Sequence, residues 1–304
     1  MTPDGGVTAD RIRFGGHSMT EPLREVLIVR PGRAFGAAFD DPALGFLHPV
    51  DLALARREHA ELAEVLSALG CTVHVVEAEE LGTSPDAEPG PSADAVYAFD
   101  PVLVTDRGVV ALRPGKPSRR AEVRPLEGWL NGAGVPTAGR IEPPGTVEGG
   151  DTLWLRPDLF CIGRSLRTDD AGARELSAIV GGDVRVFDLP YWRGSAELVH
   201  LLSVISPVAD DLAVVFPPLL PVGLWRLLRD LGIRTLDVPE EEYVTLGCNV
   251  LAVRPGVVVV ADGNPATAAA LAAAGCEVHA IAATEIGLNG SGGPTCLTRP
   301  ILRG

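Results

Sequence analysis

A unit of hydrophobic hairpin, helix and returning strand recurs roughly every fifty residues, a period typical of propellers and arrays. The first β-branched run is 26–30, followed by helical apolar spacing over 51–69 and a strand over 71–76. A hairpin follows, with strands at 96–105 and 109–113 around Asp106-Arg107-Gly108, then a helix over 119–131 and a loop or short strand at 137–142. The second full unit has strands at 152–155 and 160–163, a helix over 169–180 and a strand at 184–187. The third has 198–206, 212–216, 221–231 and 233–237, and the fourth 249–253, 257–261, 265–274 and 276–281. Residues 82–92, rich in Pro, Gly and acids, read as a surface loop.

One polar residue falls in a comparable place in each unit. Asp100, Glu148, His200, Asn249 and Cys296 are separated by 48, 52, 49 and 47 positions. A radial array would bring such residues to its centre. Five units close into a ring if the fifth is split between the two ends, with the strand near Val26 pairing with 297–301. Closure would remove exposed sheet edges. Strands separated by helices argue for mixed sheets, so the expected fold class is α/β. We expect a flexible leader over 1–20 and a single domain over 21–304.

Composition sets the partners. Acids outnumber bases 40 to 26, giving a net charge of −14, which opposes nucleic acid and anionic membrane. No apolar run reaches the ~18–20 residues of a membrane span. The first residues lack the features of a signal peptide, so a cytoplasmic protein is expected. Five cysteines, an odd number without Cys-x-x-Cys spacing, argue against a disulfide framework and a dedicated metal site. Lys116 is the sole lysine.

The chemistry concentrates in a few motifs. Cys296 lies in Gly292-Gly293-Pro294-Thr295-Cys296, where the glycines are expected to allow backbone angles closed to other residues and nearby N–H groups to favour thiolate. His200 lies in His-Leu-Leu-Ser, Glu148 in Glu-Gly-Gly-Asp, and Asp100 in Phe-Asp-Pro. Packing alternatives stand beside each: a buried thiol, a core histidine, a turn-capping glutamate. Asn249 is read as marking its position without chemistry.

This ordered set, with Gly163-x-Ser165-x-Arg167-Thr168, resembles the guanidine-modifying enzymes of the pentein superfamily over about 22–302, closest to dimethylarginine dimethylaminohydrolase and arginine deiminase. The resemblance implies a five-bladed αβ-propeller with a central active-site channel. It assigns Cys296 as nucleophile, His200 as acid then base, and Glu148 as partner of both His200 and the guanidinium. Asp100 and Asp94 would bind the guanidino substrate, and Arg113 and Arg167 its carboxylate. No cofactor or metal is implied, and a homodimer is possible. A planar cation with a poorly electrophilic carbon calls for a strong nucleophile and anionic acceptors, which these residue types supply.

Two positions depart from the pattern. Phe99 replaces a residue that is usually polar in the family, and an apolar side chain there is expected to remove a substrate contact. Leu202 stands where arginine deiminases carry an Asp, which favours an N-substituted guanidinium over arginine. The expected function is cysteine-dependent hydrolysis of an Nω-methylated arginine to citrulline and an amine. Arginine deiminase, amidinotransferase and a non-catalytic binding protein of the same fold remain as alternatives. A lid is expected from the loop 35–48.

Overall fold

The computed structural model describes residues 13–81, 92–194 and 198–304. Among them are fifteen strands in five three-stranded sheets. Each sheet joins an antiparallel pair to a third strand that runs parallel beyond a helix. Strands β1 (Leu23–Arg30) and β2 (Thr72–Glu77) run parallel, flanking the helix Leu52–Ala68. Strands β3 (Val102–Thr105), β4 (Gly108–Ala111) and β5 (Thr137–Arg140) form the next blade. Then come β6 (Thr152–Arg156), β7 (Leu159–Arg164) and β8 (Asp183–Asp188), followed by β9 (Ile205–Ala209), β10 (Leu212–Val215) and β11 (Arg234–Asp237). Strands β12 (Leu251–Arg254), β13 (Val257–Ala261) and β14 (Glu277–Ile281) make the fourth full repeat. The last, β15 (Arg299–Arg303), pairs antiparallel with β1, placing Val26 opposite Pro300 and Leu27 opposite Arg299. The expected closing pair is therefore present.

Local chemistry explains the elements. The run Val257-Val258-Val259-Val260 is β-branched throughout and wholly buried, as a strand covered on both faces requires. Its hairpin turns through Gly256, whose φ of +72° favours glycine. Asp51 and Asp169 cap their helices, accepting from Leu54 N at 2.9 Å and Gly172 N at 2.7 Å. The helix Val222–Asp230 buries Leu224 and Leu228, one turn apart, and leaves Trp225 exposed.

Three expectations change. The run 96–105 is a strand only from Val102 onward, and a 3₁₀ turn, Ala93–Val96, stands at its start. The run 198–203 is not a strand: it enters a 3₁₀ turn, Leu201–Ser203, and the strand starts at Ile205. Short apolar runs do not distinguish strand from turn by periodicity. The loop read over 82–92 lies outside the described residues except for Ser92, as does the leader through residue 12. From Gly15 onward the leader is attached. Gly15 N donates to Ile301 O at 2.8 Å, and His17 stacks on Trp154 at 4.0 Å between ring centroids.

Candidate active site

Asp100, Glu148, His200, Asn249 and Cys296, one from each repeat, line a single cavity of about 470 Å³. Each sits just before or within the turn that opens or closes a blade hairpin. The sheets therefore fix these positions while their side chains leave the strands.

Glu148 is wholly buried between two cations. Its Oε2 meets His200 Nε2 at 2.9 Å, and its Oε1 accepts from Arg167 Nη1 at 3.1 Å and from Lys116 N at 3.1 Å. Burial alone would raise its pKa, but the His200 hydrogen bond and charge, with Arg119 and Arg167, hold it well below the usual carboxylate range. Gly150 allows this approach: a Cβ there would lie 2.6 Å from His200 Nδ1. Burial would lower His200, yet the charge of Asp151 and the Glu148 hydrogen bond, with Asp100, raise it to about 9. The imidazole is thus a cation near neutral pH. Asp151, fully buried, accepts from Leu201 N at 3.0 Å and Ser165 Oγ at 2.5 Å, and so fixes the turn that follows His200.

Asp100 accepts from Gly150 N at 2.7 Å and pairs with Arg119 at 2.5 Å. Arg119 also binds Glu122 and the carbonyl of Tyr97, at 2.8 and 2.9 Å. Asp94 pairs with Lys116 at 2.6 Å, so the one lysine of the chain belongs to this cavity. Asp100, Glu148 and His200 bring donor atoms within 4.8 Å of one another, close enough for a metal ion. Arg119 and Arg167 already sit on the two carboxylates, so the set is matched to N–H donors rather than to a bare cation.

Cys296 Sγ accepts from Asn249 Nδ2 at 3.0 Å, and Asn249 Oδ1 accepts from Thr295 N at 2.9 Å. Asn249 therefore orients the thiol, a role its sequence context did not signal. The thiol is not held as thiolate in this arrangement. Burial, then the charge of Asp100, push it up to about 11, against the opposing effects of Asn249, Gly293 N–H and Arg119. The glycines act through space rather than backbone angle. Neither Gly292 nor Gly293 has a positive φ, whereas Ser291 does, at +64°. A Cβ on Gly293 would lie 2.6 Å from Asn249 Cγ, and one on Gly292 would enter the ring of Tyr97.

Other sequence-predicted residues are placed differently. Arg113 does not line the cavity; its Nη1 donates to the carbonyls of Pro144 and Gly145, at 3.2 and 2.9 Å. Phe99 faces away, packed under the guanidinium of Arg299 at 3.9 Å, so its apolar character removes no contact from this cavity. Leu202 does line it, with Trp192, Tyr243 and Leu246. Leu44, Gly45 and Leu47 from the expected lid segment reach the same cavity, and Asn289 Oδ1 anchors the segment through Leu47 N at 2.9 Å. Sequence reasoning did not single out Arg119, Lys116, Tyr97 or Arg193. Only the solitary lysine carried a signal.

The fold and cavity define an αβ-propeller with a thiol, an imidazole and carboxylates at its centre. The arginine deiminase family profile matches residues 230–303. The N(G),N(G)-dimethylarginine dimethylaminohydrolase of Pseudomonas aeruginosa is 33% identical over 49% of this chain and 71% of that protein. The arginine deiminase of Rhodococcus erythropolis is 34% identical over 52% of this chain, which spans about half (46%) of that enzyme's length. A dimethylarginine dimethylaminohydrolase crystal structure aligns at a TM-score of 0.74 with 25% identity, covering 91% of this chain and 99% of that one. The N-terminal domain of a cyanobacterial arginine dihydrolase aligns at 0.77 and 20% identity, over 92% and 97%, a likeness of fold. The chain belongs to the guanidine-modifying pentein family of dimethylarginine dimethylaminohydrolases and arginine deiminases.

Proposed function

We propose that this protein hydrolyses a guanidino amino acid through Cys296, with an Nω-methylated arginine as substrate and citrulline and an amine as products. The observation that carries the reading is the convergence of Cys296, the His200–Glu148 pair and Asp100 on one cavity. Acids and bases are interleaved at the site, Asp94 with Lys116, Asp100 with Arg119, and Glu148 with Arg167 and protonated His200. A guanidinium entering this set adds one positive charge beside the thiol and favours ionisation of Cys296. Substrate and thiolate thus favour each other.

Sγ attacks the guanidinium carbon, and the C–N bond to the leaving amine breaks as His200 delivers its proton. The resulting thiouronium is attacked by water, one of whose protons returns to His200 while the other goes to Sγ as the C–S bond breaks, giving the ureido product and the free Cys296 thiol. Glu148, with both oxygens engaged, keeps His200 protonated and aligned. Arg193 lines the cavity, its guanidinium over the Trp192 ring at 4.2 Å and 3.8 Å from Glu240, and is our candidate for the substrate's carboxylate. Replacing it with Met is expected to raise KM with little change in kcat. An unchanged KM would assign the carboxylate to Arg167. Five unpaired thiols suit the reducing cytoplasm.

Leu202 and its apolar neighbours support a substituted nitrogen. Arginine itself is the second reading, favoured by the arginine deiminase match over the segment holding Asn249 and Cys296. Citrulline formation from arginine and from asymmetric dimethylarginine, with Cys296→Ser as blank, separates the two. Dimethylamine release abolished by the substitution supports the first reading, ammonia from arginine supports the second, and no citrulline from either sinks both.

A further inference from the structure

The residues Phe99 and Asp100 are adjacent, yet they face different cavities. Asp100 lines the large one, and Phe99 lines a second, lying among Gly15, Trp154, Arg299 and Arg303. This second space is about 20 Å³, room for one water-sized or monatomic body.

Its wall carries two buried arginines, and among the described residues no acid lies against them. Arg299 is 3% exposed, and its Nη1 donates to the carbonyls of Phe99, at 3.1 Å, and Val102. Arg303 is 4% exposed, and it donates to Glu21 O at 2.7 Å and Ala252 O at 2.9 Å. Every one of these acceptors is a neutral carbonyl. Among the described residues no carboxylate forms an ion pair with either guanidinium, whereas the equally buried Arg119 is gripped by Asp100 and Glu122. Asp100 acts on Arg299, and Glu21 and Cys71 on Arg303, only at longer range. The Nε–H of each arginine and the indole N–H of Trp154 are buried without a protein acceptor. Burial lowers both arginines, to about 9 and about 10, as expected of cations left without a counter-charge.

We propose that this cavity binds a monatomic anion of the halide class, chloride in practice, held by the Nε–H groups of Arg299 and Arg303 and by Trp154 Nε1–H. Burying a charge is costly unless it is paired. A water molecule would satisfy donors but leave two positive charges uncompensated, and the space is too small for sulfate or phosphate. Since β15 carries both arginines, the anion fastens the strand that pairs with β1.

The test is thermal unfolding of the full chain in chloride-free gluconate, titrated with chloride or bromide at constant ionic strength. The expected result is a saturable rise in Tm with either halide and none with sulfate. Trp154→Phe keeps an aromatic ring against His17 and removes only the donor; it should shift the chloride midpoint about tenfold higher, the worth of one charge-assisted hydrogen bond. Crystals soaked in bromide should show one anomalous peak between the two guanidinium groups. A Tm indifferent to halide, a midpoint unchanged in Trp154→Phe, or a water in place of bromide would each overturn the proposal.

Discussion

At the scale of single residues, the site is organised by groups that touch Cys296 and His200 rather than by those two side chains alone. Asn249 holds Sγ at 3.0 Å and Glu148 holds His200 at 2.9 Å. With Cys296 at about 11, its alkylation by iodoacetamide should still be climbing, close to tenfold per pH unit, above the ~8.5 of an ordinary thiol. An inflection at or below that value would contradict the buried, neutral thiol. Asn249→Ala removes a donor to sulfur and leaves Thr295 N without its acceptor. Turnover should fall by about tenfold or more, read as kcat at saturating substrate, while the chain stays folded by circular dichroism.

At the scale of elements, loops around the cavity are tied to the helices behind them. Glu58, buried on the helix Leu52–Ala68, accepts from Glu285 N at 2.8 Å, Ile286 N at 2.9 Å and Thr284 N at 3.1 Å, and also from the Thr284 hydroxyl. The segment it secures leads to Leu288, Gly290 and Gly292 at the cavity wall. Glu58→Ala orphans those N–H groups and should cost about 3 kcal/mol in urea unfolding, since each buried unmet donor costs about 1–3 kcal/mol. A loss under 1 kcal/mol would show that the segment is held elsewhere. Most of this architecture was legible, because its signals are local. Strong turns such as Arg254-Pro255-Gly256 and dense β-branched runs fixed the hairpins, and the spacing of polar residues brought out the five positions that meet. What stayed hidden depends on distant partners. Glu122, three residues on, is a local partner of Arg119, but nothing beside Arg119 indicates that Asp100 will meet it, and nothing near Phe99 indicates that its side chain turns away from Asp100 toward Arg299. The place of Arg113 outside the cavity lining was hidden for the same reason: its acceptors, the carbonyls of Pro144 and Gly145, lie in another part of the chain.

At the scale of the whole molecule, buried ionisable groups tie stability to pH. His59 is 1% exposed on the inner face of its helix, and burial, aided by the charge of Arg30 and opposed by the backbone of Val29, lowers it to about 4. The folded chain therefore keeps this ring neutral while the unfolded chain protonates it below about 6.5. Its contribution is present above pH 6.5 and lost as pH falls toward 4, amounting to about 3 kcal/mol at pH 4. Asp151, raised to about 6 by burial, works in the opposite direction over the same range. The measurement is accordingly the difference in unfolding free energy between the native chain and His59→Leu at pH 7 and pH 4. That difference should move by about 3 kcal/mol in favour of the variant at the lower pH. A constant difference would mean the ring is hydrogen-bonded as a cation.

The clasp between β1 and β15 lies next to the Cys296 sulfur. Cys296 comes just before Arg299, whose strand meets β1 only when the ring is complete, and Asn249 reaches the sulfur from the neighbouring repeat. A molecule with its seam undone can keep four intact blades and still be chemically silent, its thiol separated from His200 and Glu148. Closure of the ring is then a precondition of the proposed turnover, and loss of the seam would silence it without unfolding the blades.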